Sequence, residues 1–199
     1  KEMEAGNVER NVDNLEMLSQ LWSQAREHKE SIPVLREAAQ LSEDGELFFR
    51  LGQALMADER NEEAEQAFEN AIEQGGMDDD RLANAWLLLG NARFNQAGPG
   101  DREQRMVADE AFANAERFDR TKQEAGNWRE YISAINQTER RQAMLEEDQQ
   151  QRMAEATQER QLTACRARQL AGSSLSEECK ELLAADSDEG DDPQSDSEE

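Results

Sequence analysis

Apolar and small residues recur along this chain at helical intervals, and in two places they repeat one spacing. Ala64-x3-Phe68-x2-Ala71 and Ala108-x3-Phe112-x2-Ala115 each put small, large and small side chains on one face of a helix. Each copy follows a segment with an aromatic residue three positions before a Leu-Gly pair: Phe48 before Leu51-Gly52, and Trp86 before Leu89-Gly90. A small-large-small stripe opposite a Leu-Gly step is what two antiparallel helices need to approach closely. The pattern therefore predicts an all-α chain of stacked helix pairs.

A degenerate copy fits Val12 to Glu43, with Leu15, Leu18-Ser19 and Trp22 on a first helix and Ile32, Leu35 and Ala38 on a second. Ser19 and Ser31 stand where the other copies have Gly and Ala. Pro33 is expected in the first turn of the second helix, where a missing N–H costs nothing. The next pair runs from about Gly45 to Asp78, with Asn61 as the expected N-cap of its second helix and Gly75-Gly76 as the stop. A third begins near Ala83, and the long turn Gln96–Asp101 delays its second helix by six residues. A capping helix from about Lys122 is expected to bury Ala125, Trp128, Ile132 and Ile135.

These signals divide the chain into five stretches. Residues 1–11, with Met3, Ala5 and Val8, read as the tail of an upstream repeat, and 12–136 as the array with its cap. Residues 137–171 read as an extended Gln/Glu/Arg-rich helix whose apolar residues are sparse, and 172–185 as the short helix of a cysteine hairpin. Residues 186–199, with eight acids and no base, read as a disordered acidic tail.

The succession of aromatic, Leu-Gly and Ala-Phe-Ala resembles the tetratricopeptide repeat, a helix-turn-helix unit of 34 residues. The resemblance implies an all-α solenoid of about three repeats plus a capping helix, followed by a long helix and a short helical hairpin. It also implies a binding scaffold and no enzyme. In such arrays the first helices line a concave groove. Numbering from Gly52 and Gly90 places Asp13, Glu16 and Gln20 there, then Glu46, Phe49, Gln53 and Met56, then Asn84, Leu87, Asn91 and Phe94. The amides suit the backbone of an extended peptide and the apolar residues suit its side chains, although Leu87 and Phe94 read equally well as packing between repeats. Chaperone-tail binders of this family hold a terminal carboxylate with a Lys/Asn/Arg clamp, for which Glu16 and Glu46 have the wrong sign.

A narrower resemblance rests on the run from Ser31 to Gly45, on Leu51-Gly52-Gln53, Gly75-Gly76-Met77 and Ala85-Trp86-Leu87-Leu88-Leu89-Gly90, and on Ala125-x2-Trp128-x2-Tyr131-Ile132. These are similar to the periplasmic tetratricopeptide proteins encoded beside TonB-ExbB-ExbD systems of Gram-negative bacteria, over residues 1 to about 136. The similarity implies the C-terminal part of a longer exported, periplasmic protein whose leader lies upstream of Lys1. It implies an accessory of TonB-dependent iron-siderophore or similar nutrient uptake, with TonB, ExbB or ExbD-like partners. The alternative on the same fold is a general envelope assembly factor or chaperone-like adaptor.

Composition narrows the partners. The formal charge is -24 with only four lysines, which disfavours nucleic-acid backbones and anionic membranes and leaves basic peptides open. No apolar run approaches the ~20 residues of a membrane span. Cys165 and Cys179 each lie seven residues from Gly172, so in a helical hairpin their thiols would meet. Such a disulfide would contribute ~3 kcal/mol through loop-closure entropy and imply an oxidising compartment; the alternative is two unrelated thiols. Zinc would need further soft ligands, and the single histidine, His28, reads as a surface helix residue far from both cysteines. One histidine there builds no nucleophilic triad. Acid pairs such as Glu62-Glu63 read as solvated faces, and Gly98-Pro99-Gly100 lacks the Gly-Lys-Ser/Thr ending of a phosphate loop. No cofactor, metal or catalytic set is expected.

Overall fold

The computed structural model describes residues 9–188, and His28, Ser187 and Asp188 only as parts of helices. Met3, Ala5 and Val8, the side chain of His28 and the acidic stretch after Asp188, on which expectations were placed, lie outside the described residues. Among the described residues there are eight helices: α1 (Val12–Gln24), α2 (His28–Leu41), α3 (Glu46–Ala57), α4 (Asn61–Gln74), α5 (Asp79–Gln96), α6 (Arg102–Ala115), α7 (Lys122–Leu170) and α8 (Glu177–Asp188). From α1 to α6 each helix packs on the next in chain order, in a solenoid-like succession.

The pairs close because glycine meets phenylalanine. A Cβ on Gly52 would lie 2.6 Å from the Phe68 ring, and one on Gly90 would lie 2.6 Å from the Phe112 ring. Both rings are fully buried, with Ala64, Ala71, Ala108 and Ala115 beside them at 0% exposure. The small-large-small stripe thus seats one ring per pair against the bare backbone of the preceding helix. In α1 the corresponding position is Ser19, which is buried and donates its hydroxyl to the carbonyl of Glu16 at 2.7 Å.

Two turns repeat the same backbone geometry. After α1, Arg26 has φ 60°, with Arg26 N–H donating to Ser23 O and Glu27 N–H to Trp22 O. After α3, Glu59 has φ 60°, with Glu59 N–H donating to Met56 O and Arg60 N–H to Leu55 O. Each is a left-handed helix stop that satisfies two terminal carbonyls, held here without the usual glycine. The left-handed region costs a non-glycine residue about 1–2 kcal/mol, which glycine's extra chain entropy partly offsets. Glu59→Gly should therefore raise unfolding free energy by about 0.5–1 kcal/mol, measured by urea denaturation; a loss would show that Glu59 makes a contact worth more than its strain.

Four expected boundaries are corrected. Pro33 lies inside α2 as its sixth residue, because the turn at Arg26 and Glu27 launches the helix at His28. The N-cap of α4 is Arg60 rather than Asn61, which is already helical. The capping helix and the Gln-rich helix are one 49-residue helix, α7, since neither Gly nor Pro occurs from Asn127 to Ala171 to stop it. The last helix extends to Asp188, into the stretch expected to be tail.

The chain divides at Glu139/Arg140 into two compact units. The first holds α1 to α6 and α7 as far as Glu139. In it Arg105, 3% exposed, bonds Asn136 Oδ1 at 2.9 Å, the carbonyl of Gly98 at 3.3 Å, and Glu139. Glu139 also accepts the N–H of Gly100 at 3.1 Å. One guanidinium thus ties the long α5–α6 turn to α7.

The second unit holds the rest of α7, then α8. Cys165 and Cys179 form a disulfide, with Cα atoms 5.4 Å apart. They are the only buried side chains among the described residues of this unit. Ser176 caps α8, accepting from Cys179 N–H at 3.3 Å, and Arg166 pairs with Asp186. So little apolar burial cannot hold a 12-residue helix, which is marginal alone in water. Reduction should therefore melt α8 and leave the first unit intact. Hydrogen exchange should show protection lost across 177–186 and unchanged across 46–115; unchanged protection in α8 would refute this.

Candidate functional site

The first helices of the pairs, with Leu35 of α2, bring a cleft together. It has a volume of about 450 Å³, with Gln20, Ser23 and Gln24 from α1, Arg50 and Gln53 from α3, and Arg81 from α5 around a floor that includes Ala54 and Leu35. These positions share faces because residues three, four and seven apart on a helix lie in one row.

An ion ladder runs across the cleft. Glu16 Oε1 accepts from Arg50 Nη1 at 2.7 Å, and Glu46 Oε1 accepts from Arg50 Nε at 3.1 Å and from Arg81 Nη1 at 2.5 Å. Arg81 also lies over the Phe49 ring, 5.7 Å from its centroid. The four charges cancel. Their side chains are 26–42% exposed, so each pair adds at most about 1 kcal/mol and serves mainly to set the spacing of α1, α3 and α5. The edge expected to be acidic at Glu16 and Glu46 is thereby neutralised.

The eleven residues assigned to the groove separate into groups, and Asp13, exposed in the first turn of α1, does not line the cleft. Glu16, Gln20, Glu46 and Gln53 lie at or beside the cleft, and Gln20 donates to Glu16 at 3.0 Å. Phe49 (3% exposed) and Leu87 (6%) belong to the core instead, Phe49 with its ring 6.0 Å from that of Phe68. They are closed to a ligand, which corrects their assignment. Met56 is half-buried against the same core, and Asn84 is half-buried. Phe94 packs in an aromatic corner with Trp128, 5.1 Å between centroids, and Tyr131, 5.8 Å. Asn91, one turn before Phe94, has a buried Oδ1 with no hydrogen-bond partner.

Sequence reasoning missed Arg50 and Arg81 as cleft residues. A signal existed for both. Arg50 lies 34 residues after Glu16 and Arg81 lies 35 after Glu46, close to one repeat in each case, so opposite charges one repeat apart mark neighbouring first helices.

The carboxylates held below their ordinary range lie elsewhere, on the second helices. Arg10 hydrogen-bonds Glu37, and Arg36 followed by Arg60 hydrogen-bond Glu63. Among the described residues no group of three or more His, Cys, Asp or Glu is placed to hold a metal ion, and no helix is long and apolar enough to cross a membrane. What the cleft offers is amide, hydroxyl and guanidinium hydrogen bonding around an apolar floor, which suits a length of polypeptide. No family model and no curated protein matches the chain.

Proposed function

We propose that this chain is a non-catalytic protein-interaction scaffold of the tetratricopeptide type, which holds an extended segment of a partner along α1, α3 and α5. The observation that carries this reading is the cleft itself. Its polar side chains come from three successive first helices, with a repeat-spaced ion ladder keeping those helices in register. The paired Gly52/Phe68 and Gly90/Phe112 contacts support the repeat assignment.

The partner we propose is a TonB, ExbB or ExbD-like component of an energy-transduction system in the periplasm, with the chain an accessory of nutrient uptake. Support comes from the sequence similarity described above and from the Cys165–Cys179 disulfide, a bond that persists in oxidising compartments. The test is affinity capture from Gram-negative envelope extract, using the whole chain and a chain ended after Ala143. Both should retain a TonB, ExbB or ExbD-like protein. Retention of none by either chain would refute the partner, and retention by the whole chain alone would move the binding surface to distal α7.

A further inference from the structure

The chain has 46 acids against 22 bases, yet the charged residues lining the cleft are Arg50 and Arg81, with no Asp or Glu beside them. Their counterions lie outside the lining. Glu46 Oε1 accepts from both Arg50 Nε and Arg81 Nη1, and Glu16 Oε1 accepts from Arg50 Nη1 and Gln20 Nε2. Because one oxygen holds both arginines, the two guanidiniums stand side by side. Asp79 and Asp80, next to Arg81 in the chain, are exposed and do not line the cleft.

A guanidinium offers a carboxylate two parallel N–H groups along its Nε–Nη2 edge. In Arg10 and Arg60 that edge closes on one carboxylate, of Glu37 and Glu63 respectively. In Arg93 it is shared by Glu65 and Glu69, and in Arg105 by Asn136 and Glu139. Arg81 differs. Its Nη1 is held by Glu46 and its Cζ lies over the Phe49 ring, whereas Nε and Nη2 have no partner among the described residues, and the side chain is 42% exposed. Arg50 Nη2 has none there either. The fork is thus fixed in place before any ligand arrives, which lowers the ordering cost of filling it.

Charge and shape select the occupant. Gln20, Gln24, Gln53 and Ser23 serve a donor or an acceptor alike and select nothing. A lysine or arginine of the ligand would face two guanidiniums of its own sign. A main-chain carbonyl brings one oxygen to a fork of two N–H groups, and a carboxylate brings two. The chain's overall charge of -24 is screened beyond about 8 Å at physiological salt, so the adjacent arginines set the sign. We propose that the open edge of Arg81, with Arg50 Nη2, is a subsite for the side-chain carboxylate of an aspartate or glutamate within the bound segment; this rests on the scaffold reading above. The acid is internal because a segment laid along α1, α3 and α5 continues past Arg81, so the site is distinct from a clamp for a terminal carboxylate. The preferred segment carries an acid at α5 and neutral polar groups along α1 and α3.

The test is calorimetric titration of the full chain at about 150 mM salt with twelve-residue Ala/Ser peptides, acetylated and amidated, that carry Glu, Gln or Lys at the two central positions. A fourth peptide is the Gln form with a free C-terminal carboxylate. The Glu peptide should bind roughly fivefold or more tightly than the Gln peptide, and the Lys peptide more weakly than either. Arg81→Gln should reduce the Glu peptide to the affinity of the Gln peptide and leave the Gln peptide within about twofold. Arg81→Lys, which keeps the charge without the fork, should not restore the preference; circular dichroism checks that both variants fold, and Arg81→Lys carries the test if Arg81→Gln does not. Equal binding of the Glu and Gln peptides, tighter binding of the Lys peptide, or a Glu preference that survives both substitutions overturns the proposal. A free C-terminus that binds as tightly as the Glu peptide also overturns it, since the site would then take a chain end. Binding of no peptide overturns it as well, leaving the scaffold intact if the envelope partner is still captured and removing both if it is not.

Discussion

Phe68→Ala and Phe112→Ala should each lower the unfolding free energy by about 3–5 kcal/mol, the range for deleting a buried aromatic ring. Each ring is at 0% exposure and fills the only space a glycine opposite it can leave, so the surrounding helices cannot collapse into the void without losing their register. Equilibrium urea unfolding, followed by circular dichroism, measures the loss. Gly52→Ala tests the same contact from the other side, since its new methyl would meet the Phe68 ring at 2.6 Å. In combination with Phe68→Leu, whose side chain is smaller and more flexible, Gly52→Ala should cost less than it does alone. A loss below about 1 kcal/mol for Phe68→Ala would mean that the ring is not what holds the pair together.

Arg105→Leu should cost about 2–3 kcal/mol. The substitution keeps much of the apolar stem but strands the carbonyl of Gly98 and the side chains of Asn136 and Glu139, and a polar group left unpaired costs about 1–3 kcal/mol. Glu139 is about one-third exposed, so water recovers part of its loss and the sum stays below that for a fully buried ion pair. The effect should be local as well as global. Hydrogen exchange should quicken at 97–101 and at 132–139 before it does in α3 and α4. Uniform loss of protection would instead show that Arg105 supports the whole first unit and does not act as a strut for one turn.

The contrast between these two sites explains what the sequence made legible. The Gly52/Phe68 and Gly90/Phe112 contacts could be read because each depends on size at helical spacing, and the spacing occurs twice in the chain. Arg105 could not, since a lone arginine on a helix carries no periodic signature and its side-chain partners lie 31 and 34 residues ahead on another element. The stops at Arg26 and Glu59 were hidden for a related reason. The left-handed conformation there is imposed by the helices on either side, and the glycine that usually advertises it is absent.

The candidate site was half legible. Glu16, Gln20, Glu46 and Gln53 lie at or beside the cleft, at positions that follow from the Leu-Gly register. Phe49 does not. One residue is a rotation of about 100° around a helix, and the groove-facing position at that level is Arg50, while Phe49 turns inward to Phe68. The apolar periodicity fixes the buried face to within one residue, which decides the core but leaves the neighbouring polar row open by one step. The charges then settle it, because Glu16, Arg50, Glu46 and Arg81 pair only if Arg50 and Arg81 lie in that row.

The central claim is that the concave row of first helices, and not the second-helix face, receives a partner. Site-specific photo-crosslinking measures this directly. A benzophenone side chain is placed at Gln53, which lines the cleft, and separately at Gln66, which is exposed on the second helix α4. Both chains are irradiated in envelope extract. The account predicts a discrete adduct from Gln53 that is lost on adding Arg50→Glu, with no matching adduct from Gln66. A discrete adduct from Gln66 with none from Gln53 would contradict it.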